Sequence, residues 1–117
     1  MPLQEVFLER HIGTDRILAI KTYDRHFARE AFCQMDDSAM STLAESLNLE
    51  ETYFEDDIPS INTPEFPEFL WEALLEEARE DGSLFSFFVV YREAAGSRKN
   101  LIVTPDWPTA ESFASRL

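Results

Sequence analysis

Carboxylates are the one residue type whose number and spacing in this chain could do chemistry. Of its 23 Asp and Glu residues, sixteen lie within residues 30–81, where Arg79 is the only Lys or Arg. The sixteen are Glu30, Asp36, Asp37, Glu45, Glu50, Glu51, Glu55, Asp56, Asp57, Glu65, Glu68, Glu72, Glu76, Glu77, Glu80 and Asp81. The flanks hold seven acids and nine bases, so the formal net charge of −13 arises entirely in this acidic segment. Such a concentration of negative charge favours a cationic partner.

Four glutamates in the acidic segment follow a helical spacing. They stand three, four and four residues apart and would line one side of a helix: Glu65, Glu68, Glu72 and Glu76. We name these four residues the glutamate ladder. One helical turn advances about 5.4 Å, which is similar in scale to the spacing of phosphates along a nucleic-acid strand. Lys and Arg side chains that grip a row of phosphates could therefore grip the ladder.

A charged stripe is also the ordinary way for an amphipathic helix to stay soluble. Here, however, like charges four residues apart repel one another, at about 0.2–0.5 kcal/mol per pair. Glu76, Glu77, Glu80 and Asp81 would also crowd the C-terminal end of the predicted helix. The helix dipole prefers cations there, and each acid costs about 0.3–1 kcal/mol at low salt. Two explanations stay open at this point, a functional negative surface and general solubility by net charge.

Other side chains that could do chemistry lack companions at suitable spacing. The acids at residues 55–57 could bind a hard metal ion, but the pattern of a calcium loop is absent. His11 and His26 have no second ligand at zinc spacing, and Cys33 lacks the cationic or glycine-rich setting of a reactive thiol. We therefore predict no enzyme, catalytic residue, metal or cofactor, and rank a metal-dependent hydrolase using residues 55–57 last.

Several apolar residues are embedded among the acids. They are Tyr53, Phe54, Ile58, Ile61, Phe66 and Trp71. One interpretation is that they anchor a loop to the core. The other is that some stay exposed and form an aromatic contact centre inside an acidic rim, as in protein-binding patches.

Length and composition predict a single domain over residues 1–117. A chain of 117 residues with 44% hydrophobic residues and ten Phe can bury an apolar core, which a disordered acidic tail could not. The single Cys33 cannot form an internal disulfide, and no secretory signal pattern opens the sequence, so we expect a cytoplasmic protein. The longest apolar run, residues 87–91, is far shorter than the ~20 residues of a membrane span.

The pattern of β-branched and aromatic residues predicts two hairpins. Residues 5–12 and 16–23 form the first, and a strand over residues 84–92 pairs with residues 101–104 in the second. Four helices are predicted: one capped by Asp24, one capped by Asp36 or Asp37, one over residues 64–81 and one opened by Pro108. The apolar residues within residues 49–62 follow neither a helical nor a strand period, so this segment is predicted as a loop.

This order of elements predicts an α+β fold. Strands that come in hairpins, without alternating helices, favour an antiparallel sheet of about four strands. We expect three to four helices to pack on one face of that sheet.

In its size, its acidic segment and its glutamate ladder, the chain resembles the small acidic DNA-mimic proteins of bacteria. These include the type that occupies the DNA-binding surface of the histone-like protein HU. The resemblance implies a non-enzymatic protein that competes with DNA for a basic protein such as HU, a repressor or a nuclease. It identifies no particular binding residue, because such proteins share no sequence motif.

The charge pattern itself supplies the candidate partner-binding residues. They are Glu50, Glu51, Glu55, Asp56, Asp57, Glu65, Glu68, Glu72, Glu76, Glu77, Glu80 and Asp81. We expect a monomer that contacts neither nucleic acid nor membrane directly. An immunity protein that inhibits a toxin nuclease is a close relative of this hypothesis. The alternative is a structural or assembly accessory protein that binds through aromatic residues, with the acids serving only solubility.

Overall fold

The computed structural model describes residues 4–82 and 84–117, and its main sheet is built from two hairpins. The four strands are β1 (Gln4–Ile12), β2 (Asp15–Thr22), β5 (Phe87–Ala94) and β6 (Ser97–Thr104). They pair in the order β1-β2-β5-β6, and every pairing is antiparallel. A second, two-stranded sheet joins β3 (Arg79–Asp81) to β4 (Leu84–Phe85). The predicted α+β class and the antiparallel sheet of four strands are confirmed.

Most of the helices lie between the two hairpins, and one follows the last strand. They are α1 (Arg25–Cys33), α2 (Asp37–Ser46), α3 (Leu49–Thr52), α4 (Glu65–Ala78) and α5 (Trp107–Ser115). Asp24 caps α1 by accepting hydrogen bonds from the backbone N–H groups of His26 and Phe27. Asp36 caps α2 in the same way, and Asn48 follows α2 in the left-handed conformation at φ 51°. The short α3 and a 3₁₀ turn over Glu55–Asp57 lie within the predicted loop.

Helices cover both faces of the main sheet, where the sequence predicted one covered face. Successive strand residues point to opposite faces, so Phe87 and Phe88 of β5 face different layers. Phe87 stacks on Trp71 of α4 with ring centroids 6.0 Å apart, whereas Phe88 packs on Trp107 of α5 at 5.3 Å. The physical reason is that β5 is buried at every position from Phe87 to Tyr91 and needs cover on both sides.

The predicted junction between the long helix and the central strand differs from the structure. Helix α4 ends at Ala78, and Ser86 interrupts the apolar run predicted as one strand. The Ser86 N–H donates to the Ala78 carbonyl at 2.9 Å, and its hydroxyl donates to Glu80 at 2.7 Å. Glu80 and Asp81 therefore lie in β3 rather than on the helix.

The turn between β5 and β6 is also tighter than predicted. Ala94 pairs with Ser97, which leaves only Ala95 and Gly96 in the turn. Their φ values of 46° and 84° are both positive, as a type I′ hairpin turn requires. Strand β6 consequently begins at Ser97, four residues before the predicted position.

A single cluster of buried apolar residues joins the sheet to the helices. Its largest fully buried side chains include Phe32 of α1, Leu43 of α2, Leu70 of α4 and Phe87 of β5. Because these helices turn their apolar sides inward, their charged residues are left on the outer surface. None of the described helices combines the length and the apolar character needed to cross a membrane.

Candidate functional site: an acidic helical layer

All sixteen carboxylate residues of the acidic segment are exposed. We use the name acidic layer for these exposed carboxylates, which stand on or next to α1 to α4, on the 3₁₀ turn and on β3. In α4 the inward side is lined by buried apolar residues: Phe66, Leu70, Trp71, Ala73, Leu74 and Ala78. The glutamate ladder occupies the outer side of the same helix and extends over about 16 Å at 1.5 Å per residue.

Ion pairs neutralise little of the acidic layer. Among residues 4–82 and 84–117, only Glu68 and Glu80 of the sixteen acids have a cationic partner within 4 Å. Fourteen exposed carboxylates of the acidic layer thus have no ion-pair partner in the described part of the chain. Their potential is available to an external cation.

Glu68 differs from the other members of the ladder because it is tied to α1. Its carboxylate accepts a hydrogen bond from Arg29 at 2.5 Å. The Arg29 guanidinium also lies 5.2 Å from the ring centroid of Trp71 and 5.5 Å from that of Phe32. The ladder therefore offers three carboxylates without an ion-pair partner among the described residues, and those are Glu65, Glu72 and Glu76.

Glu80 faces back toward the main sheet. Its carboxylate accepts the hydrogen bond from Ser86 and lies 3.6 Å from the Lys21 ammonium. Burial lowers the pKa of Lys21, but the hydrogen bond with Tyr23 and the negative charge of Glu80 outweigh it and raise that pKa. Glu80 is thus an internal partner of Lys21 as well as a surface acid.

The structure brings acids from α2 and α3 together around an apolar groove. This groove has a volume of about 580 Å³ and separates α2 and α3 from residues 58–66. Its apolar lining consists of Ala44, Leu49, Ile58, Pro59, Ile61 and Phe66. Glu45, Glu50 and Glu51 line the same groove. Sequence reasoning missed the groove and the place of Glu45 in it, and only the apolar residues among the acids hinted at it.

The apolar residues of the acidic segment divide between the two predicted roles. Tyr53 packs on Phe69 of α4 at 4.9 Å, and Phe66 and Trp71 are buried, so these residues anchor the segment to the core. Phe54 is 82% exposed and Ile61 is 48% exposed. Two apolar side chains therefore stand among the acids on the surface, as a protein-binding patch would require.

The acids of residues 55–57 lie exposed on the 3₁₀ turn. Within the part of the chain that the structure describes, no three His, Cys, Asp or Glu side chains are grouped so that they could hold a metal ion. The hydrolase hypothesis therefore gains no geometric support. Asp81 and Glu77 extend the acidic layer toward the end of α4 and into β3.

Comparisons with protein-family models, with curated proteins and with solved structures found no match. The observations that bear on function are therefore the exposed carboxylates, their few ion pairs and the apolar groove among them.

Proposed function

We propose that this protein is a non-enzymatic DNA mimic. Its acidic layer binds a basic nucleic-acid-binding protein, such as histone-like HU, a repressor or a nuclease, and competes with DNA for that protein. The observation that carries the proposal is the set of fourteen exposed carboxylates without an ion-pair partner in the described residues. Such a surface steers a basic protein toward it and makes association fast and sensitive to salt.

The helical spacing of the ladder determines how a partner would grip it. Successive ladder residues advance by about 4.5–6 Å along the helix axis, which is coarser than the ~3.4 Å of helix axis per phosphate in one DNA strand. The three ladder residues without an ion-pair partner among the described residues, Glu65, Glu72 and Glu76, are spaced by about 10.5 and 6 Å. Lys and Arg side chains are long and flexible enough to bridge this difference. The proposal therefore calls for a partner whose DNA-binding cations stand on mobile side chains.

The proposed setting is the cytoplasm. Cys33 is the only cysteine of the chain and is exposed, which suits a reducing compartment. An immunity protein against a toxin nuclease is the same proposal with a different partner, since a nuclease also presents a basic DNA-binding surface.

A competition assay tests the proposal with a matched charge control. Purified HU is bound to a labelled DNA duplex at low salt, and the acidic protein is added until the duplex is released. The double variant Glu72→Gln/Glu76→Gln should require at least about tenfold more protein. Glu5→Gln/Glu111→Gln removes the same charge from exposed positions outside the acidic segment and should stay within about threefold of the wild type.

A capture experiment extends the test beyond HU. The wild-type protein, immobilised at low salt, should retain at least one basic nucleic-acid-binding protein from a bacterial lysate and lose it at high salt. Equal effects of the two double variants on release of DNA from the retained protein would reject the ladder as the mimic surface. Retention of no such protein would reject the function itself.

The exposure of Phe54 favours a second candidate, the accessory protein that binds through aromatic residues. In that case Phe54→Ala should weaken capture of the partner strongly, whereas Glu72→Gln/Glu76→Gln should leave it intact. Mimicry requires the reverse order of effects, so the same two variants separate the candidates.

A further inference from the structure

The groove between α2, α3 and residues 58–66 has a chemistry that the ladder lacks. Its floor is apolar, with Leu49 and Phe66 buried and Ile58 half-buried, and Ile61 remains 48% exposed beside it. A volume of about 580 Å³ lies within the ~300–1,000 Å³ of pockets that enclose organic groups. The groove is therefore large enough to take an apolar side chain from another molecule.

We propose that the groove binds an apolar side chain flanked by Lys or Arg in a segment of the protein partner. This inference rests on the proposed function, because it assumes that the partner is a basic protein. The groove would add specificity to the proposed function, since rows of carboxylates alone would bind any polycation.

Charge complementarity favours a basic protein segment as the occupant of the groove. Glu45, Glu50 and Glu51 line the groove together with its apolar residues, and all three are exposed. An apolar side chain entering the groove thus brings its neighbours in sequence next to carboxylates. Flanking cations gain from that position, whereas flanking acids or phosphates are repelled.

The same charges disfavour the other occupants. A second copy of this chain carries a formal net charge of −13 and would bring a second acidic layer against the first. DNA and an anionic lipid surface are repelled for the same reason. An apolar floor with an acidic rim matches a basic protein segment, in which buried contacts give affinity and the rim selects the sign of charge.

Two synthetic peptides test the inference directly. Both have the form Lys-Lys-Gly-X-Gly-Lys-Lys with a fluorescent label, and X is Leu in one and Ser in the other. The wild-type protein should bind the Leu peptide about fivefold to tenfold more tightly, since the Leu side chain is withdrawn from water in the groove. Equal affinities for the two peptides would overturn the inference.

Variants locate the preference in the groove. Ile61→Ser removes apolar surface at an exposed position, and Ala44→Trp fills the groove from α2. Both should reduce the Leu preference to about one and leave the affinity for the Ser peptide unchanged, with circular dichroism confirming the fold. Glu72→Gln/Glu76→Gln should keep the preference, because it changes only the ladder. A Leu preference that survives both groove variants would show that the apolar side chain binds elsewhere and would overturn the assignment.

The outcomes separate the groove from the proposed function. If the protein displaces DNA from HU but shows no Leu preference, the proposed function stands and the inference about the groove is rejected. If it shows a Leu preference but displaces DNA from no basic protein, the proposed function is rejected. Sedimentation identifies the remaining occupant: a wild-type dimer that Ile61→Ser converts to a monomer would show that the groove receives a second copy, contrary to the inference.

Discussion

The main sheet and the acidic layer differ in how their charged side chains are paired. In the sheet, Arg16 of β2 lies directly opposite Glu93 of β5 and donates a hydrogen bond to it at 2.8 Å. The same guanidinium lies 3.7 Å from Glu9 of β1, so one cation serves two acids. The hydrogen bond that Arg16 donates to Glu93 and the negative charge of Glu93 raise the pKa of Arg16. In α4, by contrast, Glu72 has glutamates four residues away on both sides.

The same contrast holds for the acids taken together. Of the seven acids outside the acidic segment, Glu9, Asp15 and Glu93 form ion pairs, and Asp24 and Asp106 cap helices. Among the sixteen acids of the segment, only Asp36, Glu68 and Glu80 have such roles in the described residues. A coat that served only solubility could be spread over both regions, so the concentration of unpaired acids on the helices favours a binding surface.

The largest predicted effect comes from breaking the contact that joins the two regions. Trp71 of α4 is only 8% exposed and packs between Phe32 of α1 and Phe87 of β5, with ring centroids 5.3 and 6.0 Å away. Trp71→Ala should lower the free energy of unfolding by about 3–5 kcal/mol, through lost burial and the cavity left behind. Urea denaturation followed by circular dichroism measures this change.

Phe54→Ala is the matched control for that substitution. It removes an aromatic ring from the same acidic segment, but the ring is 82% exposed, so the free energy of unfolding should change by less than about 0.5 kcal/mol. A loss for Trp71→Ala as small as that for Phe54→Ala would mean that Trp71 does not hold the acidic layer to the sheet.

Local signals in the sequence were sufficient to predict most elements. Asp24 and Asp36 indicated the starts of two helices, because the side chain of a capping residue accepts hydrogen bonds from backbone N–H groups two or three residues further along the chain. Asp106 caps α5 in the same way, through the N–H of Thr109. The ladder was predictable because the helical period alone places its members on the side opposite the apolar stripe.

Features that depend on contacts distant in sequence could not be predicted. The pair of Arg29 and Glu68 joins residues 39 positions apart, and nothing in either local sequence marks it. The groove requires α2 to approach Phe66 of α4, which no periodicity reveals. The sequence around Ser86 predicts one continuous apolar strand, and only the hydrogen bond from the Ser86 N–H to the Ala78 carbonyl shows that the strand is interrupted there.

The second predicted effect tests whether the acidic layer is destabilised by its own charge. Glu72→Gln/Glu76→Gln removes two repulsive i,i+4 pairs and one acid from the C-terminal turn of α4. At low salt it should raise the free energy of unfolding by about 1 kcal/mol. The gain should shrink in 0.5 M NaCl, because screening already weakens the repulsion in the wild type. Binding and stability would then change in opposite directions in one variant.

The smallest predicted effect has the opposite sign and lies in the sheet. Asp15 accepts two hydrogen bonds from Arg92, one of them from Nε at 2.8 Å, and its side chain is 23% exposed. Asp15→Asn removes one negative charge, as Glu72→Gln does, yet it should lower the free energy of unfolding by about 0.2–1 kcal/mol.

Measuring Asp15→Asn and Glu72→Gln in parallel by urea denaturation at low salt distinguishes local from global electrostatics. If total net charge governs stability, both variants should be stabilised alike, because each reduces the negative charge by one. Opposite signs instead require that each carboxylate responds to its own neighbours, Arg92 for Asp15 and the flanking glutamates for Glu72. Only in that case is the acidic layer a distinct electrostatic region, as a surface that imitates a polyanion must be.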